Sequence, residues 1–223
     1  MAERFTTRLR RTVDPIWEAQ YRHPFVRGIV DGSLDLEKFK FYVRQDYAYL
    51  IDYARLFLLA GARSPDLSLM TRFNELADET LKTEMSLHRS YAAEFGITEA
   101  QLEAEPKSPT CQAYCDFLLR VAALGDFGEL IAALLPCMWG YSELGRRLAK
   151  EPASVEPRYA KWIDMYSDPG FAGVAEWCRQ LLDRLADGSP EPYRKRLEAA
   201  FVLCSRYELA FWEMAWRQEQ WPM

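Results

Sequence analysis

Three stretches of this chain set a reactive or ionisable side chain one helical turn from an aromatic one. In LLPCMWGYSEL, Leu134 to Leu144, Cys137 and Tyr141 are four residues apart and share a face of any helix built there. In FYVRQDYAYLIDYARLF, Tyr49 follows Asp46 by three and Tyr53 follows Tyr49 by four. In SRYELAFWEMAW, Phe211 follows Glu208 by three, among Tyr207, Trp212 and Met214. A thiolate is a strong nucleophile, a carboxyl group exchanges protons, and aromatic faces stack on flat ligands. Each residue also has a plainer reading. A free cysteine fills cores, Asp46 can pair with Arg44 or Arg55, Glu208 can pair with Arg206 or face water, and aromatic stripes at helical spacing are usually packing. The coincidence of the three stretches carries more information than any one member.

The elements that must position these residues are helical. Apolar residues recur at three- and four-residue spacing in TRLRRTVDPIWEAQY, LEKFKFYVRQDYAYLIDYARLFLLAGA, LMTRFNELADETLKTEMSLHRSYAAEF, TCQAYCDFLLRVAAL, FGELIAALLPCMWGYSELGRRLAK, PRYAKWIDMYS, FAGVAEWCRQLLDRLA and PYRKRLEAAFVLCSRYELAFWEMAWRQ. DGSLD, RSPD, EFGI, EPKSPT, SDPG and DGSPEP punctuate them with turn and cap residues. Strand-length alternation and short-period repeats are scarce. The expectation is an all-α bundle of about eight helices in a single domain over residues 1–223, with any site formed by side chains of facing helices. Pro136, lacking a backbone donor, is expected to bend or break its helix just before Cys137.

Composition excludes several function classes. The net charge is −5 with basic residues scattered among acidic ones, which leaves no footprint for nucleic acid. No stretch reaches the roughly 18 apolar residues of a membrane span, and MAERFTTRLRR lacks the apolar core of a signal peptide, so a cytoplasmic location is expected. Five cysteines, an odd number at irregular spacing, do not form a disulfide framework. Cys111 and Cys115 stand four apart, but no further Cys or His lies near enough to complete a zinc site.

The sequence resembles the TenA family of thiaminase II and aminopyrimidine aminohydrolases almost end to end. HPFVRGIVDGSLDLEKFKFYVRQDYAYL (residues 23 to 50), LLPCMWGYSELG (134 to 145), KWIDMYSDPGF (161 to 171) and YELAFWEMAW (207 to 216) carry the likeness in the family's order. The resemblance implies the haem-oxygenase-like helical fold, a homotetramer, the cysteine-bearing branch, and catalysis without metal or cofactor. By position, Cys137 matches the nucleophile that adds to a pyrimidine ring carbon, Glu208 the catalytic acid, and Asp46 the carboxylate that holds a ring nitrogen and the exocyclic amino group. Tyr49, Tyr114 and Tyr166 match the aromatics that enclose the ring, Tyr141 the tyrosine one turn after the nucleophile, and Phe211 the aromatic one turn after the acid. The implied reaction converts 4-amino-5-aminomethyl-2-methylpyrimidine to its hydroxymethyl counterpart and ammonia, a thiamin salvage step, with thiamin itself as a second substrate. No nucleic-acid or membrane partner is implied.

Two rival classes stand beside this one. A haem-degrading or di-iron redox enzyme of the same fold needs several carboxylates and histidines, typically in Glu-x-x-His pairs. The chain has only His23, at the HPF turn where a capping role is expected, and His88, spaced by four from Glu84. A non-catalytic pyrimidine-binding or regulatory protein is the other rival, and the presence of both Cys137 and Glu208 argues against it. The C-terminal RQEQWPM shows no motif.

Overall fold

A computed structural model of the chain describes residues 3–152 and 156–222. Within these, the regular structure is helical throughout: twelve α-helices and one π-helical turn. All eight periodic segments are helical, and no helix of the described residues is long and apolar enough to cross a membrane. The first segment is split at Val13 into α1 (Phe5–Thr12) and α2 (Asp14–Arg22), as Pro15 in the first turn of α2 requires. The third is divided into α5 (Leu67–Glu79), the π-turn Thr80–Glu84 and α6 (Met85–Glu94). Two short helices, α3 (Pro24–Asp31) and α7 (Glu99–Glu103), lie in stretches too brief to show a period. The other six are α4 (Leu36–Ala62), α8 (Pro109–Leu124), α9 (Phe127–Leu148), α10 (Pro157–Ser167), α11 (Pro169–Ala186) and α12 (Glu191–Arg217).

The sequence marks most starts. Pro24, Pro109, Pro157 and Pro169 stand in first turns, where a missing N–H is harmless. Asp35 caps α4 by accepting from Glu37 and Lys38, and Asp168 caps α11 by accepting from Gly170 and Phe171. Of the bend or break expected at Pro136, the break does not occur: α9 continues to Leu148. Ile131 to Leu135 just ahead of it are fully buried, and burial of that apolar turn offsets the roughly 3 kcal/mol a mid-helix proline carries.

The backbone packs as two compact units, one comprising residues up to Leu34 with Ile131–Glu213, the other Asp35–Leu130 with the segment from Met214 on. The first unit has an aromatic core. Trp17 meets Trp139 edge-on at 5.2 Å, and Phe25 lies 5.5 Å from Trp212. The buried indole N–H groups are satisfied, Trp17 donating to Ser205 Oγ and Trp212 to Gln20 Oε1, both at 3.2 Å. Gly145 on α9 lets α10 approach so closely that a Cβ there would sit 2.5 Å from the Tyr166 carbonyl carbon.

The second unit is organised by α4. Gln45 donates to the Pro106 carbonyl at 3.0 Å and accepts from the Ser108 N–H at 2.8 Å, which fixes the entry to α8. Buried Asp52 binds Lys107 and Arg55. The tail fastens the same corner. Glu219 accepts from the N–H and hydroxyl of Thr110 at 2.8 and 3.1 Å, and Trp221 donates to the Lys107 carbonyl at 2.9 Å. RQEQWPM therefore clamps the start of α8, with Met223 outside the described residues.

Candidate active site

In the first unit the reactive stretch of α9 faces an aromatic cluster. Tyr141 packs on Tyr166 of α10 at 4.8 Å, on Trp162 at 6.1 Å and on Trp212 of α12 at 5.3 Å. Trp162 in turn contacts Tyr166 at 4.6 Å and Trp212 at 5.9 Å. Cys137 lies one turn before Tyr141 on α9, and Glu208 one turn before Trp212 on α12. The candidate nucleophile and acid thus sit on the two helices joined by the Tyr141–Trp212 contact. Glu208 is 3% exposed and Phe211 2%, so Glu208 does not face water.

The cysteines separate cleanly. Cys111, Cys115, Cys178 and Cys204 are buried, whereas Cys137 is only partly so. Of the five cysteines, the one in the reactive stretch is the one that is not fully buried. The others behave as small core residues, and a hydrogen bond donated by the Cys115 thiol to Cys111, with burial added, drives its pKa far up, away from thiolate chemistry.

In the second unit, Tyr49 of α4 packs between Tyr53 at 5.5 Å and Tyr114 of α8 at 5.1 Å, all three buried. Asp46, three residues before Tyr49, is 6% exposed and pairs with neither arginine proposed for it. Arg44 binds Glu105 at 3.3 Å and Arg55 binds Asp52. The partner of Asp46 is His88, whose Nε2 lies 2.8 Å from Asp46 Oδ2. His88 Nδ1 lies 3.0 Å from the Glu84 carbonyl oxygen at the end of the π-turn. Burial pushes His88 toward its neutral form, but the hydrogen bond and charge of Asp46, with Glu84 beside it, outweigh this and raise its pKa. Burial raises the Glu84 carboxyl, and the nearby Asp46 charge adds to the effect.

The structure thus joins Tyr141 with Tyr166 and Tyr49 with Tyr114, and gives Asp46 a partner that the sequence reading weighed only as a metal ligand. Trp162 and Trp212 were also missed as site-forming residues, although both lie inside the quoted motifs. His23 caps α3 by accepting from the Phe25 N–H at 3.2 Å, while its Nε2 lies 3.0 Å from Glu213. Burial lowers its pKa despite Glu213, consistent with a neutral ring whose Nδ1 is the acceptor. Among the described residues, no group of three or more His, Cys, Asp or Glu side chains is arranged to hold a metal ion.

Comparison with known proteins identifies the family and the fold. The sequence pattern of the TENA/THI-4/PQQC family matches residues 10–218. An aminopyrimidine aminohydrolase of Halalkalibacterium halodurans is 45% identical over 218 residues, which is 97% of this chain and 97% of that one. Among solved structures, a TenA homologue from P. horikoshii OT3 superposes with a TM-score of 0.90 at 32% identity, covering 96% of this chain and 99% of the other. A domain of unknown function from Shewanella denitrificans OS217, described as having a heme oxygenase-like fold, superposes at 0.76 with 16% identity over 96% and 92% of the two chains. That likeness identifies the fold.

Proposed function

The chain belongs to the TENA/THI-4/PQQC family, and from that premise we propose that it hydrolyses 4-amino-5-aminomethyl-2-methylpyrimidine to the hydroxymethyl compound and ammonia, with thiamin as a related substrate. The observation that carries the reading is the state of Cys137: the residue matching the family's nucleophile is the one cysteine of five that is not buried, one turn from the tyrosine of an aromatic cluster.

The chemistry assigns a role to each residue. The Cys137 thiolate adds to the ring carbon beside a ring nitrogen, and a proton on that nitrogen takes up the electron density displaced from the ring. Collapse of this adduct expels the amine from the adjacent methylene, protonated by Glu208 as it leaves, and generates an exocyclic alkene. Water adds to the alkene carbon, and loss of the thiolate restores the aromatic ring. Asp46 accepts a hydrogen bond from the exocyclic amino group. Tyr49, Tyr114 and Tyr166 offer ring faces, and Tyr141 and Phe211 border the nucleophile and the acid. A leaving group held by the methylene alone explains why ammonia and the thiazole of thiamin are alternative products of one mechanism.

On the same reading the chain acts as a single domain, in the cytoplasm and without nucleic acid, as its length, composition and charge suggest, and as a homotetramer without cofactor, as the family resemblance implies. The test offers the purified protein the aminomethylpyrimidine and thiamin separately and follows release of the hydroxymethylpyrimidine. Turnover of the aminomethyl compound with the higher kcat/KM supports the reading. Tight pyrimidine binding without turnover of either compound refutes the hydrolase and leaves a binding protein.

A further inference from the structure

We infer that His88 is the positioning residue of Asp46, holding its carboxylate as an oriented acceptor and so setting the preference for a 4-amino over a 4-oxo pyrimidine. This inference rests on the function proposed above.

The argument starts from the two partners of the ring. The Glu84 carbonyl oxygen, 3.0 Å from Nδ1, can only accept a hydrogen bond, so Nδ1 carries a proton. Asp46 Oδ2 lies 2.8 Å from Nε2, and its hydrogen bond and charge outweigh burial to favour the charged ring, which donates its second proton there. His88 is then an imidazolium paired with an aspartate, and the pair is nearly sealed from water, with side chains 5% and 8% exposed. The pairing fixes the plane of the Asp46 carboxyl group and engages Oδ2 with His88, which leaves Oδ1 to accept from a ligand. A 4-oxo pyrimidine meets the same oxygen with an acceptor of its own, an unfavourable match.

The backbone is built to deliver the ring. The π-turn Thr80–Glu84 inserts between α5 and α6 and ends at Glu84, the residue whose carbonyl fixes Nδ1. Such π-insertions in otherwise α-helical segments recur at functional positions, where the extra residue re-aims the side chains that follow. His88 is the first residue after this turn to bond across to α4, and the residue it meets is the carboxylate that matches the family's recognition group.

The experiment measures dissociation constants of the full chain for 4-amino-5-hydroxymethyl-2-methylpyrimidine and its 4-oxo analogue, with KM and kcat for the aminomethyl substrate, in wild type, His88→Gln, Asp46→Asn and the double variant. The expected result for His88→Gln is a drop of roughly 10-fold or more in the amino/oxo affinity ratio, as loss of a charge-assisted hydrogen bond implies, with a matching rise in KM. In the Asp46→Asn background, His88→Gln is expected to change the ratio no further, because His88 acts only through Asp46. If His88→Gln alone does not fold, the double variant, in which no charge is left unpaired, still reports whether its ratio equals that of Asp46→Asn. An unchanged ratio and KM in His88→Gln, or a full additional effect of the histidine change in the Asp46→Asn background, overturns the inference. Wild-type protein that binds with the expected ratio but does not turn over substrate refutes the hydrolase alone, and wild-type protein that binds neither pyrimidine overturns both.

Discussion

Gly145→Ala sets two effects of opposite sign against each other at the edge of the aromatic cluster. Gly145 lies inside α9, where alanine is the better helix former by about 1 kcal/mol. Propensity alone therefore predicts a stabilised variant. The added Cβ, however, would lie 2.5 Å from the Tyr166 carbonyl carbon and 2.7 Å from its Cβ and oxygen. An ordinary carbon–carbon contact is about 3.5 Å, so about 1 Å of displacement must come from α10, and the atoms in the way are mostly backbone. Overpacking of this kind destabilises by about 1–3 kcal/mol, and rigid neighbours put it at the upper end. The net is a loss of about 2 kcal/mol, or roughly 4–8 °C in Tm for a chain of this size. Because Tyr166 itself must move, KM for the pyrimidine should rise as well. Gly173→Ala is the matched control: Gly173 is an exposed position of α11 with nothing within 4 Å of an added Cβ, so only the propensity gain remains. Thermal unfolding of the two variants should give shifts of opposite sign. Equal stabilisation of both would refute the claim that the α9–α10 approach requires glycine.

Brief treatment of the native protein with iodoacetamide should label one thiol, whereas the denatured chain labels all five, and Cys137→Ser should abolish native labelling; intact mass counts the adducts. Glu151 is held at about 2 by the hydrogen bonds of Arg27, against an ordinary 4.5, with Tyr21 assisting. A depressed carboxylate stabilises above its unfolded pKa, so its contribution is complete above about pH 4.5 and is lost as the pH falls toward 2. Urea titrations in that window should show a shallower acid loss in Arg27→Met than in wild type. Asp35→Ala removes acceptors from the Glu37 and Lys38 N–H groups at the start of α4 and should destabilise by about 1 kcal/mol, with Asp35→Ser recovering most of it in the same unfolding assay.

The helices were legible because their signals are local. Periodicity marked the eight long segments, and prolines and acidic caps marked their starts. Pro136 does not break α9, because the rule for a mid-helix proline weighs one hydrogen bond, whereas the fully buried turn before it weighs five apolar side chains. Cys137, Tyr141 and Glu208 were legible as a pattern of reactive groups beside aromatics, but the differing exposure of the five cysteines depends on tertiary packing. His88 was hidden for a different reason. Its meaning lies in a contact with Asp46 across 42 residues and in a π-turn that shifts the helical register, and neither has a sequence period. The tail was equally opaque, since Glu219 binds the N–H and hydroxyl of Thr110 and Trp221 the carbonyl of Lys107, contacts across more than 100 residues that no local pattern marks.

The central claim is that Cys137 attacks and Glu208 donates the proton. Its most direct test is kcat for the aminomethylpyrimidine in wild type, Cys137→Ser and Glu208→Gln, alongside the dissociation constant of the hydroxymethyl product for each. The account predicts that Glu208→Gln lowers kcat by about 10²- to 10⁴-fold and Cys137→Ser by more than about 10³-fold, while Cys137→Ser still binds product within a few-fold of wild type. A Cys137→Ser protein that turns over at the wild-type rate would contradict it.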